Sequence, residues 1–371
     1  MARHYLDHAS TSPTRPEAIT AMVDWLRSSD AGGDPGRIHH EGQVARAAVE
    51  TAREQVATFL GARSREVVFT SGATEAISAA VFGATERGEH VVAAAVEHSA
   101  VRMASSLHDV ALVGCDRAGH IDVGEVIDAL RADTALVHVQ WGNHEVGTLQ
   151  PVTDIVDACR ERGILVHVDA AQAAGHVPVD FRSVGADLMS VSAHKMGGPP
   201  GVGALLVRRG LRLRPLLLGG EQERARRAGF ENVPGLLGWA AAAEALEGTG
   251  PDEAMTARDQ TAAVLRAVAR LDGILVYGDP VHRLPHIVCL GIEDVEPQAV
   301  LLGLDQAGIA VHSGSACASE DLEPSPVLAA MGVDAHHSLR ISVGWSTTES
   351  DIDALLAALP EVLSRLRALR A

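Results

Sequence analysis

Residues 164–195 read ILVHVDAAQAAGHVPVDFRSVGADLMSVSAHK, and this stretch decides the fold. Two short apolar runs, ILVHV and LMSV, each lead into polar residues. Short runs of this kind are typical of strands buried on both faces of a parallel sheet. Ligands bind at the carboxyl ends of such strands, so Asp169, Gln172 and Lys195 are expected at one crevice.

The same pattern extends to both sides of this stretch. From Glu66 onward, short apolar runs alternate with segments of helical periodicity, which indicates an α/β fold with a mostly parallel central sheet. The predicted strands are EVVF, HVVAAA, VALVG, ALVHVQW, ILVHVDA, DLMSVSA and GALLVRR, and helices are predicted near Thr74, Ser99, Val123, Ile155–Arg162 and Met255–Leu271. A composition break at GTGPDE, residues 248–253, predicts a large domain over residues 16–250. A smaller α+β domain is expected over residues 251–371, joined by residues 1–15.

The composition is that of a globular enzyme. Apolar residues make up 47% of the 371 residues, and the formal net charge of −17 argues against direct nucleic-acid binding. The opening MARHYLDHAS has no apolar segment of signal-peptide length, and the apolar runs elsewhere are too short to span a bilayer. A cytoplasmic protein without membrane contact is therefore expected.

Four cysteines are scattered along the chain without a CxxC pair, which fits neither a disulfide framework nor a common zinc site. Cys317 lies in HSGSACASEDLEPS, whose glycine and serine content predicts an exposed loop and hence an accessible thiol. Cys115, Cys159 and Cys289 lie in apolar surroundings that are typical of buried cysteines.

Lys195 is the only lysine of the chain, while every other basic side chain besides histidine is an arginine. Arginine replaces lysine as a charge. It does not replace lysine as an amine nucleophile, because the guanidinium stays protonated. The retained lysine indicates a position where an amine is required, although chance retention of a surface lysine is the alternative.

The motif TSGATEA, residues 70–76, follows a predicted strand and opens a helix. Free amides at such a helix start bind phosphate, so the backbone near Ala73 and Thr74 and the Thr74 hydroxyl are candidate phosphate ligands. An ordinary helix cap explains the motif equally well when it is taken alone.

The polar residues at the strand ends complete a cofactor pocket. Asp169 is placed to keep a pyridinium nitrogen protonated, with Gln172 directed to a neighbouring phenolic oxygen, although capping of the next helix is an alternative for Asp169. Ser192 and His194 flank Lys195 and are candidates for the same phosphate. Together these segments predict a site for pyridoxal phosphate.

The chain resembles the cysteine desulfurases, NifS- and IscS-like members of the class V aminotransferase group. The matching stretches are YLDHASTSP, GRIHHEGQVAR, FTSGATEA, EHSAV, NHEVGTLQPV, HVDAAQAAG, SAHKMGGPPGVGAL, HSGSACASEDLEPSPVL and LRISVG. The resemblance covers nearly the whole chain and implies the pyridoxal-phosphate-dependent transferase fold of type I.

The resemblance also implies a role for each matching residue. Lys195 would form the Schiff base with pyridoxal phosphate, His98 would stack on its ring and act as an acid or base, and Cys317 would receive sulfur. The implied cofactor ligands are Ala73, Thr74, His98, Asp169, Gln172, Ser192, His194 and Lys195, and the implied substrate ligands are Arg340 and Asn143.

Two departures from the pattern bear on the site. Many similar enzymes have Asn-Asn where this chain has Asn143-His144, so either residue is a candidate for the substrate carboxylate. Phe230 stands where similar enzymes commonly have a threonine that reaches the cofactor phosphate of a partner subunit. A phenyl ring cannot make that contact.

The expected reaction is conversion of L-cysteine to L-alanine, with a persulfide left on Cys317. The resemblance implies a homodimer and a sulfur-acceptor protein, either an iron–sulfur scaffold or a tRNA-thiolating enzyme. The alternatives are a pyridoxal-phosphate enzyme that acts on selenocysteine or cysteine sulfinate, and a scaffold with weakened catalysis. No metal is expected.

Overall fold

The structure of the chain is a computed structural model that describes residues 3–313 and 324–369. Its strands are β1 His4–Tyr5, β2 Val67–Thr70, β3 His90–Ala94, β4 Asp109–Val113, β5 Thr134–Gln140, β6 Leu165–Asp169, β7 Leu188–Ser192, β8 Gly203–Val207, β9 Ile274–Tyr277, β10 Ile287–Ile292, β11 Ile309–Ala310 and β12 Ser338–Ser342. Its helices are α1 Pro16–Arg27, α2 His40–Phe59, α3 Ala73–Ala84, α4 Ser99–Ser105, α5 Val123–Ala129, α6 Val152–Arg160, α7 Phe181–Val184, α8 Gln222–Ala225, α9 Val233–Val268, α10 Pro297–Gln306, α11 Pro326–Ala330 and α12 Glu349–Ala368.

The central sheet has the strand order β2-β8-β7-β6-β5-β3-β4. β8 runs antiparallel to both of its neighbours, and the other strand pairs are parallel. The inner strands β5, β6 and β7 are buried along their whole length, as expected when helices cover both faces of a sheet. The predicted α/β class with a mostly parallel sheet is confirmed.

A second core lies towards the C-terminus. β10 pairs with β9 and β12 in an antiparallel sheet, and β1 pairs with β11. The apolar side chains of this region pack around α10, α12 and the end of α9, and Leu6 joins them. The segment His4 to Leu6 therefore packs on the C-terminal elements.

The composition break at residues 248–253, where a domain boundary is predicted, lies inside a continuous helix. Helix α9 runs through it, with Pro251 inside the helix. Sequence composition gave a boundary here because glycine and proline usually end helices, but the apolar residues on both sides bury one face of a single long helix. The division into two domains at residue 250 stays a prediction.

No helix within residues 3–313 and 324–369 combines the length and the apolar character that crossing a bilayer requires.

Candidate active site

A cavity of about 480 Å³ lies where β5, β6 and β7 end and helix α3 begins. The sheet topology brings these chain segments together, because parallel strands place their carboxyl ends at one edge. Nearly all residues that the sequence assigned to cofactor or substrate line this cavity: Ala73, Thr74, His98, Asp169, Gln172, Ser192, His194, Lys195 and Arg340.

One end of the cavity is built for an anion. Helix α3 begins after Gly72, which has φ 154°, and no described side chain caps its first turn. A Cβ atom on Gly203 of the neighbouring strand would lie 2.6 Å from the Gly72 Cα, so the close approach requires glycine. The free amides of this 12-residue helix therefore face a site that also holds Ser192.

A buried ion pair stabilises this anion site, which we call the phosphate cradle and define as the start of α3 after Gly72 together with Ser192. Glu223 accepts two hydrogen bonds from Arg53, at 2.6 and 2.8 Å, and one from the backbone N–H of Phe69 at 2.9 Å. Arg227, just after α8, forms an ion pair with Glu75 in the first turn of α3 at 2.8 Å. The segment from Glu223 to Arg227 therefore holds both β2 and α3, which flank the phosphate cradle.

Lys195 follows β7 and reaches into the cavity. Its Nζ donates to the carbonyl oxygens of Ala9 and Ser10, at 2.6 and 2.7 Å. The only amine side chain of the chain thus lies at the cavity wall, held by backbone oxygens that a bound aldehyde can replace.

Asp169 and Gln172 are held in place by backbone groups. Asp169 ends β6, is 8% exposed, and accepts a hydrogen bond from the Ala171 N–H at 3.0 Å. Gln172 donates from Nε2 to the Ala9 carbonyl at 2.7 Å. Both side chains line the cavity, as predicted for partners of a pyridine ring.

His98 caps helix α4, and this fixes the position of its proton. The His98 Nδ1 accepts the backbone N–H of Ala100 at 3.1 Å, so a neutral imidazole carries its hydrogen on Nε2. The ring of His144 lies edge-on to it, with ring centroids 5.0 Å apart.

His194 also lines the cavity, and its Nδ1 lies 3.1 Å from the Thr11 hydroxyl. Burial, and then the nearby positive charge of Lys195, lowers the pKa of His194 to about 4. The imidazole is therefore neutral at physiological pH and would contact a phosphate as a hydrogen-bond donor rather than as a cation.

Arg340 also lines the cavity and is only 1% exposed. Its Nη1 donates to the His144 carbonyl at 2.9 Å, and its Nη2 donates to Asp7 and Ser10 at 2.9 and 2.8 Å. The Arg340 Nε has no hydrogen-bond partner among the described residues. A buried guanidinium with a free N–H fits a substrate carboxylate.

Asp7 and Ser10 are site residues that the sequence did not single out. They lie in YLDHASTSP, a stretch that matched the family pattern without a role for any residue. The pairing of β1 with β11 and a backbone bridge between Asp7 and Ser342 of β12 bring this N-terminal stretch to Arg340.

The structure separates the two candidates for the substrate carboxylate. The Asn143 side chain is fully buried, where it accepts from the backbone N–H groups of Glu145 and Val146 and donates to the Val96 carbonyl. Asn143 does not line the cavity, whereas His144 does. Burial, reinforced by Arg340, lowers the pKa of His144 to about 3, so this imidazole is neutral.

Glu145 lies buried beside this wall. Its carboxyl accepts a hydrogen bond from the hydroxyl of Ser325, and burial raises its pKa to about 7. Ser325 follows the stretch 314–323, which contains Cys317 and lies outside the described residues. The predicted loop and thiol of Cys317 therefore stay a prediction.

The other three cysteines are placed as expected for structural residues. Cys159 and Cys289 are buried and Cys115 is partly buried. Burial raises the pKa of Cys115 and Cys159 to about 11 and that of Cys289 still further. These thiols stay protonated and are poor nucleophiles.

The side chains of the cavity fit pyridoxal phosphate. The free amides at the start of α3 would hold its phosphate, Lys195 would supply an amine for its aldehyde, and Asp169 would supply a carboxylate for its ring nitrogen. Among the described residues, no group of histidine, cysteine or acidic side chains has the arrangement of a metal site.

Comparisons with known proteins agree with this geometry. Residues 4–355 match the family described as aminotransferase class-V. A cysteine desulfurase of Trichormus azollae is 41% identical over 98% of this chain and 94% of its own length. The chain belongs to the class-V aminotransferase family, among the cysteine desulfurases. The cysteine desulfurase IscS of Dictyoglomus turgidum is 39% identical over 98% of this chain and 95% of its own length.

Solved structures extend the family assignment to the fold. A NifS-like protein with 31% identity superposes with a TM-score of 0.92 over 98% of this chain and its own full length. DndA from Streptomyces lividans, 35% identical, gives a TM-score of 0.77 over 91% of this chain and 99% of its own length. The resemblance to class-V cysteine desulfurases and the type I fold are thus confirmed.

Proposed function

We propose that this chain is a pyridoxal-phosphate-dependent cysteine desulfurase that converts L-cysteine to L-alanine and leaves the sulfur on Cys317 as a persulfide. One observation carries the proposal. The only lysine of the chain lines the same cavity as Asp169, at the end of the adjacent strand, and the buried Arg340.

Each end of the cavity has a separate task. When bound, pyridoxal phosphate supplies an electron sink for the charge that develops at the substrate Cα. Lys195 would hold its aldehyde carbon, Asp169 its ring nitrogen and Gln172 its phenolic oxygen. The phosphate would lie against the amides of Ala73 and Thr74, with hydroxyl and imidazole groups from Thr74, Ser192 and His194.

Proton transfer falls to Lys195 and His98. The amine of Lys195, once displaced by the substrate amine, is a base at the cavity wall. The hydrogen bond from the Ala100 N–H occupies the Nδ1 of His98, so protons that His98 exchanges with the substrate move at its Nε2. His98 is thus suited to hand a proton to the leaving three-carbon fragment.

The substrate carboxylate would bind at Arg340. Arg340 lines the cavity, its Nε has no hydrogen-bond partner among the described residues, and Asp7 and Ser10 hold its Nη2 in place. The cavity position of His144 favours this residue over Asn143 as the second contact.

Sulfur transfer needs a nucleophilic thiol. The Cys317 thiolate would form an S–S bond with the substrate sulfur while the substrate Cβ–S bond breaks. The electron pair of that bond stays with the three-carbon fragment, which is protonated and leaves as alanine. Two related activities, on selenocysteine or cysteine sulfinate, need the same cavity without Cys317. Retention of the lone lysine argues against a scaffold with weakened catalysis.

The persulfide would pass to an acceptor protein in the cytoplasm, either an iron–sulfur scaffold or a tRNA-thiolating enzyme. Several relatives carry the name IscS, among them that of Methanosarcina thermophila, which is 36% identical. The net charge of −17 does not favour direct contact with nucleic acid.

The active enzyme would be a homodimer. Phe230 is 63% exposed and Leu218 is 73% exposed, as expected for apolar side chains that a second subunit covers. Light scattering should give twice the mass of the chain. A stable and fully active monomer would contradict this part of the proposal and would explain why Phe230 is tolerated.

Replacing Cys317 by Ser tests the sulfur-transfer step. The variant should bind L-cysteine and change the cofactor absorbance, yet form neither alanine nor sulfide at a useful rate. Wild type treated with L-cysteine without reductant should carry one extra sulfur on the peptide that contains Cys317. Cys115→Ser is the matched control and should remain active. Near wild-type turnover by Cys317→Ser would disprove the mechanism.

Borohydride reduction tests the cofactor attachment. Reduction of the yellow protein should fix the cofactor to the peptide with Lys195, and Lys195→Ala should be colourless because no second lysine replaces it. A cofactor label on any other residue would overturn the assignment.

A further inference from the structure

Three histidines, His8, His176 and His286, lie next to residues that line the active-site cavity. His8 and His286 are fully buried, and His176 is partly buried. The rings of His176 and His286 are stacked, with centroids 3.5 Å apart and an angle of 16° between their planes. The reaction described above does not use any of them.

His286 contacts a residue assigned to the cofactor. Its Nε2 lies 3.4 Å from the Oε1 of Gln172, and the Nε2 of Gln172 donates to the Ala9 carbonyl. Because a carbonyl oxygen accepts only, the Gln172 amide is oriented with its oxygen towards His286. His286 must therefore donate from Nε2, and its Nδ1 is the atom without a hydrogen.

The Nδ1 atom of His286 supports this assignment. It is buried and has no hydrogen-bond partner among the described residues. An unpaired buried acceptor costs free energy, so its presence at this place calls for a compensating role.

His176 makes the corresponding contact on the other side of the stack. Its Nε2 lies 3.2 Å from the carbonyl oxygen of Lys195, so it too donates from Nε2. The stacked pair thus joins the side chain of Gln172 to the backbone of Lys195.

Both rings are neutral in the folded protein. Burial lowers the pKa of His176 to about 4. Burial also lowers the pKa of His286, and the groups that act on it, His176, His8, Arg340 and Lys195, all disfavour a further positive charge. Each ring therefore has one N–H. That of His286 donates to Gln172, and that of His176 donates to the Lys195 carbonyl.

We propose that His286 and His176 are positioning residues of the cofactor site, which act by fixing the orientation of the Gln172 amide and the backbone of Lys195. The proposal rests on the proposed function, in which the remaining N–H of Gln172 donates to the phenolic oxygen of pyridoxal phosphate. Without His286, the Gln172 amide is free to turn its oxygen towards that site.

The first test needs no cofactor. Nitrogen-15 NMR of the cofactor-free protein should show His286 and His176 protonated at Nε2 and unprotonated at Nδ1. Protonation of His286 at Nδ1 would overturn the proposal, because His286 then has no N–H for Gln172.

The second test follows the colour of the loaded protein as a function of pH. In His286→Phe the stack is kept and the N–H is lost, so the phenolic oxygen loses a donor and the adjacent imine nitrogen holds its proton more tightly. The yellow protonated form should persist to a pH higher by about 1 unit. His286→Gln, which retains a donor, should restore much of the wild-type titration.

His90→Phe is the matched control. His90 is fully buried and bonded to Thr134, at the opposite end of β3 from the cavity. It should lower stability without moving the titration. An equal shift in His90→Phe, or no shift in a folded His286→Phe, would contradict the positioning role.

A double variant shows whether His286 acts through Gln172. Gln172→Leu should shift the titration by itself, and adding His286→Phe should give little further change. Fully additive shifts would overturn the proposal, and Gln172→Leu supplies a second measurement should His286→Phe not fold. A wild type that is never yellow would instead disprove the proposed function, so the two failures are distinguishable.

Discussion

Asn143 and His144 are neighbours in the chain with different surroundings. Three hydrogen bonds tie the Asn143 side chain to the backbone around it, whereas the His144 ring lines the cavity between His98 and Arg340. At the scale of single residues, the first is thus a structural residue and the second is a candidate ligand.

Alanine variants of these two residues should therefore behave differently. Asn143→Ala should lower the free energy of unfolding by about 2–3 kcal/mol, since each lost hydrogen bond is worth about 1 kcal/mol. His144→Ala should instead raise KM for L-cysteine several-fold, with a smaller effect on kcat. Urea unfolding and steady-state kinetics measure the two effects. A larger increase in KM in Asn143→Ala than in His144→Ala would show that Asn143, and not His144, contacts the substrate carboxylate.

Two glycines show how elements depend on local space. Gly203 lies on β8, where an added Cβ would meet the Gly72 Cα at 2.6 Å. Gly248 lies inside α9, and an added Cβ there would have no atom within 4 Å.

The same substitution should have opposite effects at these two positions. Gly203→Ala should displace Gly72 and the start of α3. We therefore expect faster loss of the cofactor during dialysis and lower stability. Gly248→Ala should stabilise the protein by about 0.5–1 kcal/mol, because alanine loses less conformational freedom in a helix. Cofactor retention and thermal unfolding check both. Unchanged retention in Gly203→Ala would show that the cradle adapts.

The molecule as a whole carries many neutral buried histidines. Burial lowers the pKa of His8 and His176 to about 4 and that of His138 and His144 to about 3. Unfolding exposes these rings, which then take up protons below about pH 6.5. Their contribution to stability is complete above that pH and is lost as the pH falls towards 4.

Two buried carboxyls act in the opposite direction. Burial raises the pKa of Glu145 to about 7 and that of Glu97 well above its usual value. These groups bind protons more tightly in the folded state, so they favour folding at low pH and lose that contribution as the pH rises. Among the described residues, the histidines with a lowered pKa outnumber these carboxyls, which leaves a net loss of stability on acidification; they are His8, His90, His138, His144, His167, His176, His194 and His286.

Stability should therefore fall as the pH falls from 6.5 to 5, since each proton that the unfolded chain binds in excess of the folded chain contributes about 1.4 kcal/mol per pH unit. Urea unfolding across this range measures the slope. His138→Leu removes one of the buried rings and should make the slope shallower. A stability that is constant between pH 7 and pH 5 would show that these rings are protonated in the folded state.

The sequence by itself determined the sheet and the family, and it predicted most of the residues discussed here that line the cavity. Short apolar runs, which are typical of buried strands, predicted β5 to β8. The polar residues at the strand ends, Asp169 and Lys195, were predicted to lie at one crevice. These features are local, since each strand and its end lie within a few residues of each other. The family motifs supplied the distant partners His98 and Arg340.

Only the tertiary structure decided which neighbours complete the site. Whether Asn143 or His144 faces the cavity depends on the path of one loop, and Asp7 meets Arg340 only after the two ends of the chain pair. Helix α9 continues through a stretch whose glycines and proline predict a break, because burial of its apolar face outweighs local propensity. The stack of His176 on His286 joins residues 110 positions apart, and nothing in the local sequence specifies that contact.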